Sequence, residues 1–299
     1  MFSTASLKNK LKLLIPLYIS IRVYKIKKIS QITLIDIFNF IDRNFLSYTI
    51  AGFFSIAVYK VYVTASFQEL FSLLMIYFVA NVLLYLIYEI GYVFNEYMAY
   101  KEKPEHRSIK ISEKPFTKDI LALTTLSRAG YYLVTVWLLT SLKIIPEGIL
   151  KNILLVNLIL LITFLIHNII PVEYRIRSSY PILKTLKSLS VLYPISFDQH
   201  SKIFAMTFSL SLGIIENVYY TLKKHGVAHL YFESHRLRFI SVSLSTFLMQ
   251  LCIGMFLLSQ LDITVIGGLS ALVCVCTLTY YLLSSTSLSI FINSSLREE

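Results

Sequence analysis

The chain has 299 residues, 56% of them hydrophobic and only 15% charged, whereas an ordinary soluble protein carries ~25% charge. Its 9 Gly and 7 Pro exclude collagen-like and low-complexity readings, and 28 Lys and Arg against 17 Asp and Glu leave a formal net charge of +11. The apolar residues come in long runs, so the expected fold is all-α: a polytopic transmembrane helical bundle and not a soluble globular domain.

Residues 1–44 carry Lys8, Lys10, Lys12, Arg22, Lys25, Lys27 and Lys28 among the apolar pieces 11–21 and 32–41. These charges interrupt any signal-peptide core, and no small-residue cleavage site follows. An amphipathic segment on the cytoplasmic membrane surface accounts for them better. From 45 to 286 the chain reads as a transmembrane bundle. A bilayer crossing needs roughly 20 mostly apolar residues, and candidates lie at 45–63, 70–92, 119–142, 149–171, 203–222, 238–259 and 264–286. A weaker one lies at 181–197. That gives seven or eight spans, and the Ser-rich tail after Tyr281, with its polar end at 287–299, is not assigned a ninth.

Charge distribution supports eight. With the N-terminus in the cytoplasm, residues 1–44 and the inner loops 91–118, 171–187 and 223–238 hold eight, six, four and four Lys and Arg. The outer side holds Lys60, Lys143, Lys151 and Lys202. This is the positive-inside asymmetry of a multi-pass membrane protein, and it holds only if 181–197 crosses. The basic excess therefore reports orientation in a bilayer and not nucleic-acid binding. Cys252, Cys274 and Cys276 fall inside expected spans and give neither a disulfide framework nor zinc spacing.

Ionisable residues within spans are costly and face a bundle interior or cavity. Asn81, Tyr85, Glu89, Tyr92 and Glu96 recur at helical spacing on one face of the second span, with Asn95 beside them. Ser209, Gly213, Glu216, Tyr220 and Lys223 form a similar stripe on the sixth. A packing seam of small residues gives the same pattern, so both readings stay open there. Arg128 lies within the third span and needs a carboxylate from a neighbouring helix. His167 and Asn168 close the fourth span, whereas His225, His229 and His235 lack the partners of a zinc site. Two helix ends with inward carboxylates flanked by Lys and Arg suit a diphosphate held through Mg2+. The apolar bundle beside them would take a long lipid tail.

The stretch Gly91-Tyr-Val-Phe-Asn95-Glu96, after two spans and before a basic loop with Pro104 and Arg107, resembles the first motif of the UbiA superfamily of intramembrane prenyltransferases. That family has Asn-Asp-x-x-Asp there and a second motif, Asp-x-x-x-Asp, after its sixth span. Glu216 and Tyr220 fall at the second place and spacing, and Tyr219 and Lys223 match a nearby Tyr-x-x-x-Lys pattern. Ala99 and Tyr220 replace the final carboxylate of each motif, which leaves Glu89, Glu102 or Glu105 to make up the set.

The resemblance implies a Mg2+-dependent transferase acting on a polyprenyl diphosphate or polyprenyl phosphate. It would move a prenyl group to an aromatic or other acceptor, or phosphoribose from a diphosphate-bearing donor to the lipid phosphate. The loop from Glu102 to Arg107 looks closer to the phosphoribosyl branch. By the same resemblance Asn95, Glu96, Glu216 and Glu102 would hold the metal. Arg107, Lys101 and Lys223 would contact phosphate, Tyr92 would line the substrate site, and His167 or Tyr220 would orient the acceptor. Two alternatives remain beside it: a transporter or flippase of a lipid-linked or anionic solute, lined by Glu89, Glu96, Arg128 and Glu216, and a non-catalytic relative that binds lipid.

Overall fold

The computed structural model describes residues 14–16, 47–64, 68–102, 118–170 and 179–224, with single positions at 66, 174, 244 and 248. The expected spans at 238–259 and 264–286, the tail, most of residues 1–44 and Arg107 lie outside the described residues. The described elements are six helices: α1 (Ser47–Thr64), α2 (Gln68–Glu102), α3 (Lys118–Ser141), α4 (Glu147–Ile169), α5 (Ser179–Ile195) and α6 (Gln199–Lys224). They occupy the first six expected spans, and the segment at 181–197 is helix. Two of them, through Gln68–Asn95 and Glu147–Ile169, are long and apolar enough to cross a membrane. At 1.5 Å per residue, 23 residues of α4 extend about 35 Å, more than a hydrocarbon core of about 30 Å.

Three expected loop boundaries move. The loop 91–118 begins as helix, because α2 continues to Glu102. The loop 223–238 likewise starts inside α6. The loop 171–187 gives way to α5 at Ser179, so Lys184 and Lys187 are helical. Lys is a good helix former, and its aliphatic stem can lie along an apolar face with the ammonium at one edge. A search for uninterrupted apolar runs therefore stops before the helix does.

The helices fall into two units. The first comprises Ile76–Arg175 together with Met1–Tyr48. In it the usual soluble pattern is inverted. Thr124 and Arg128 of α3, one turn apart, are buried, whereas Leu126, Leu133 and Trp137 are 71%, 66% and 63% exposed. On α4, Ile153, Asn157, Leu160, Phe164 and Asn168 turn inward at three- and four-residue spacing, and Leu155, Ile166 and Ile169 turn outward. Residues 83–91 of α2 are buried without a break. Polar groups inside and large apolar side chains outside suit a lipid surround, since contiguous exposed apolar patches are rare on soluble monomers.

The second unit comprises Thr49–Met75 and Ile176–Glu299. Here α5 and α6 form an antiparallel hairpin through residues 196–198. Asp198 is the N-cap of α6: its Oδ1 accepts from the Ser201 N–H at 2.7 Å and the Ser201 hydroxyl at 2.6 Å. The Asp198 N–H donates back to Ser201 Oγ at 3.1 Å, the reciprocal arrangement of a capping box. Tyr59 of α1 donates to Asp198 Oδ2 at 3.1 Å, and its ring stacks on Phe197 with centroids 5.6 Å apart. Lys60 lies over the same Phe197 ring and pairs with Glu69 at 2.5 Å.

Two glycines set helix approach. Gly91 of α2 faces the Phe164 ring so closely that a Cβ would enter it. On α6, a Cβ at Gly213 would strike Thr185 and come within 2.8 Å of the Pro181 carbonyl of α5. Both positions need glycine for space, not for backbone conformation, since both lie inside helices.

Candidate functional site

In the first unit, Arg128 meets the expected carboxylate. Its Nε donates to Glu89 Oε2 at 2.9 Å and its Nη2 to Glu89 Oε1 at 3.1 Å, a two-pronged fork with no exposed side-chain surface on either partner. The remaining donors go to the Leu14 carbonyl (3.0 Å), the Ile15 carbonyl (2.8 Å) and the Ser127 hydroxyl (2.7 Å). A guanidinium has five N–H donors, and all are used. This pair ties α2, α3 and residues 14–16 together. It also occupies Glu89, which therefore does not serve as the substitute metal carboxylate the sequence left open.

One turn along α2 is an aromatic cluster. Phe164 of α4 sits on Gly91 with Tyr88 edge-on at 5.0 Å, Tyr92 at 6.1 Å and His167 edge-on at 6.3 Å between centroids. Asn168 Nδ2 donates to the Gly91 carbonyl at 3.1 Å and fixes α4 against α2 at this level. Tyr92 and His167, singled out separately in the sequence, thus share one cluster, and both are half-buried. Asn95 lies on the next turn of α2. Glu96, Lys101 and Glu102 are on the same helix, but their side chains lie outside the described residues.

In the second unit, Glu216 of α6 is 1% exposed and its Oε2 lies 3.7 Å from Lys184 Nζ of α5. Lys184 also approaches the Tyr180 ring, 5.4 Å from its centroid. Lys187 is on the next turn of α5 and is buried, as is Ser188. The inward face of α6 continues through Gly213 to Ser209. Tyr220 and Lys223 belong to α6 with side chains outside the described residues.

Lys184 and Lys187 fall in both the expected inner loop 171–187 and the weaker expected span 181–197, and neither is among the expected site residues. The spacing of Tyr180, Lys184, Lys187 and Ser188 was the available signal, since it marks one helical face. Hydropathy alone discards such a face.

Of the expected metal set, Asn95 and Glu216 have described side chains. Glu216 stands beside an ammonium, where a metal site would place further oxygen ligands. Among the described residues no group of three His, Cys, Asp or Glu is placed to hold a metal ion.

No family model, no curated protein and no solved structure matches the chain.

Proposed function

We propose that the chain is a multi-pass integral membrane protein of UbiA-like architecture, with about eight spans and a cytoplasmic N-terminus. It acts as a transferase on a polyprenyl diphosphate or polyprenyl phosphate, moving a prenyl group to an acceptor or phosphoribose to the lipid. The observation that carries this reading is the buried Glu216–Lys184 pair, with Lys187 one turn away, on the helix that bears the second family-like motif. A hydrocarbon surround gives such charges a reason to be inside. A lipid phosphate is a ligand that needs cations at the edge of an apolar bundle. The cluster of Tyr88, Tyr92, Phe164 and His167 offers flat apolar faces and polar rims for a ring-bearing acceptor or an isoprenoid tail.

Magnesium, where such enzymes use it, neutralises diphosphate charge. The family resemblance would assign its ligands to Asn95, Glu96, Glu102 and Glu216. The test is product formation in detergent or vesicles from geranylgeranyl diphosphate with candidate acceptors, and from phosphoribosyl diphosphate with polyprenyl phosphate. Glu96→Gln and Glu216→Gln are each expected to abolish turnover in a folded protein. Normal turnover in both would remove the assignment.

A second reading, a non-catalytic lipid-phosphate binder, is favoured by the ion pairing of Glu89 and Glu216 with basic side chains. Lipid binding without turnover would select it. A transport pathway draws less support. Glu89 and Arg128, two of the four residues it would use, are bonded to each other and to the carbonyls of Leu14 and Ile15.

A further inference from the structure

Two amide side chains of the first unit stand apart from every residue the proposed transferase would use. Asn157 of α4 is 0% exposed. Its Nδ2 donates to the Tyr132 hydroxyl of α3 at 3.4 Å, and its Oδ1 is buried with no hydrogen-bond partner. Asn81 of α2 donates from Nδ2 to the Tyr77 carbonyl, one turn back, at 2.9 Å. Its Oδ1 is likewise buried without a partner.

The register of α2 against α4 brings the two amides level. Phe164 meets the Tyr88 ring at 5.0 Å between centroids. Asn168, one turn further along α4, reaches the Gly91 carbonyl further along α2, so the two helices run in the same direction. Asn81 precedes Tyr88 by seven residues, and Asn157 precedes Phe164 by seven. Seven residues are about two turns and return to nearly the same face. Asn81 and Asn157 therefore share a level on the facing sides of α2 and α4, and the Tyr132 hydroxyl brings α3 to it.

A buried amide oxygen without a bond is costly, and a bound group is the ordinary explanation. Turning either amide over does not cure it. The Asn81 oxygen would face the Tyr77 carbonyl, and Asn157 would exchange an unbonded oxygen for an unbonded nitrogen. The unbonded atoms are acceptors, which disfavours an anion. A cation would need a counter-charge, yet Glu89, two turns along the same face of α2, is held by Arg128. A neutral O–H group suits the set: it donates to an amide oxygen and accepts from a hydroxyl.

We infer that the first unit binds a neutral hydroxyl, supplied by water or by an amphiphile, between Asn81 and Asn157 with Tyr132 as its third partner. This goes beyond the transferase reading, since none of the three belongs to its metal, phosphate or acceptor set.

The test is hydroxyl-radical footprinting of the full chain after exhaustive detergent exchange, read residue by residue by mass spectrometry. Tyr132 is expected to be oxidised well above Phe204, which is 0% exposed in the second unit and serves as the dry control. Asn157→Leu and Asn81→Leu should each cut Tyr132 oxidation several-fold. The Asn81 variant does so with the Tyr132–Asn157 bond still in place. Asn81→Ser keeps an acceptor and should retain the signal, which shows that the leucine variant does not fail by misfolding.

Benzyl alcohol and toluene, one ring with and without a hydroxyl, separate the two sources. Protection of Tyr132 and a raised Tm with benzyl alcohol alone, lost in Asn81→Leu, assign the site to the hydroxyl of an amphiphile. Strong oxidation that neither compound changes, and that both leucine variants lose, assigns it to water. Either supports the inference. Equal protection by both compounds, Tyr132 oxidation unchanged in both leucine variants, or oxidation no higher than that of Phe204 with no effect of benzyl alcohol overturns it.

Discussion

Arg128→Met is the most informative single change to the bundle. It removes five hydrogen bonds at once and leaves the Glu89 carboxylate buried with no cation beside it. Removing one partner of a buried pair costs about 3–5 kcal/mol, chiefly because the other charge stays desolvated. The Leu14 and Ile15 carbonyls add little to that figure, since Ile15 is 47% exposed and water can replace the lost donor. For a domain of 150–250 residues, about 2–4 °C of Tm accompanies each kcal/mol, so the expected fall is on the order of 10 °C. Size-exclusion survival after heating in detergent measures it, at a fixed heating time because such unfolding is often irreversible. Glu89→Gln should cost a similar amount. The double variant Arg128→Met, Glu89→Leu should recover most of the loss, because a hydrophobic replacement of both partners is often neutral. Shifts under about 2 °C in both single variants would refute the reasoning, as would additive losses in the double variant.

The other expectations are smaller. Gly91→Ala places a methyl in the Phe164 ring and should cost about 1–3 kcal/mol as overpacking, read in the same assay. Gly213→Val should be worse than Gly213→Ala, because the Pro181 carbonyl is backbone and yields less than a side chain. Lys60→Met loses the Glu69 pair and the Phe197 contact near the end of α1 but should cost under about 1 kcal/mol, as half-exposed pairs do. Acid should weaken the α5–α6 turn. Burial pushes the Asp198 carboxyl up, but the Ser201 side-chain and backbone donors, Tyr59 and nearby His200 outweigh it and hold the group below its ordinary value. A carboxylate with a lowered folded pKa contributes stability that is complete above the unfolded value of about 4 and is lost as pH falls through the folded one. Tm measured from pH 6 downward should therefore drop more steeply below pH 4 in the native chain than in Asp198→Asn. Parallel curves would exclude Asp198 as a source.

Helix placement was legible because apolar length is a property of the sequence itself. The runs at 45–63, 119–142 and 149–171 became α1, α3 and α4 with small changes at their ends, whereas α2 runs ten residues past the expected 70–92. The need of Arg128 for a carboxylate was legible too, from the cost of an unpaired charge. Its choice of Glu89 was not, because helical spacing says which residues share a face but not which face meets which neighbour. Glu89 and Glu96 looked alike on one stripe. Only packing shows that Glu89 is taken by α3. The basic face of α5 was hidden for a different reason. Lys184 and Lys187 lower hydropathy while preserving helical periodicity, so 181–197 registers as a weak span whose period, not its average, marks the face. The Asp198–Ser201 cap was readable in principle as an acid followed three residues later by a hydroxyl, ahead of an apolar run.

Donor arithmetic separates structure from binding inside this bundle. A guanidinium with five donors and five protein acceptors has nothing left to offer a ligand, so Arg128 fixes geometry. It does so for residues 14–16 as well as for α2, which ties part of the N-terminal segment to the helix that carries Asn95 and Glu96. The Lys184–Glu216 contact is longer, at 3.7 Å, and Lys184 keeps 18% of its side chain exposed. The enclosed pair therefore fixes the geometry of the first unit, and losing either partner there strands a buried charge, whereas the lysine of the second pair reaches water and its loss should cost less.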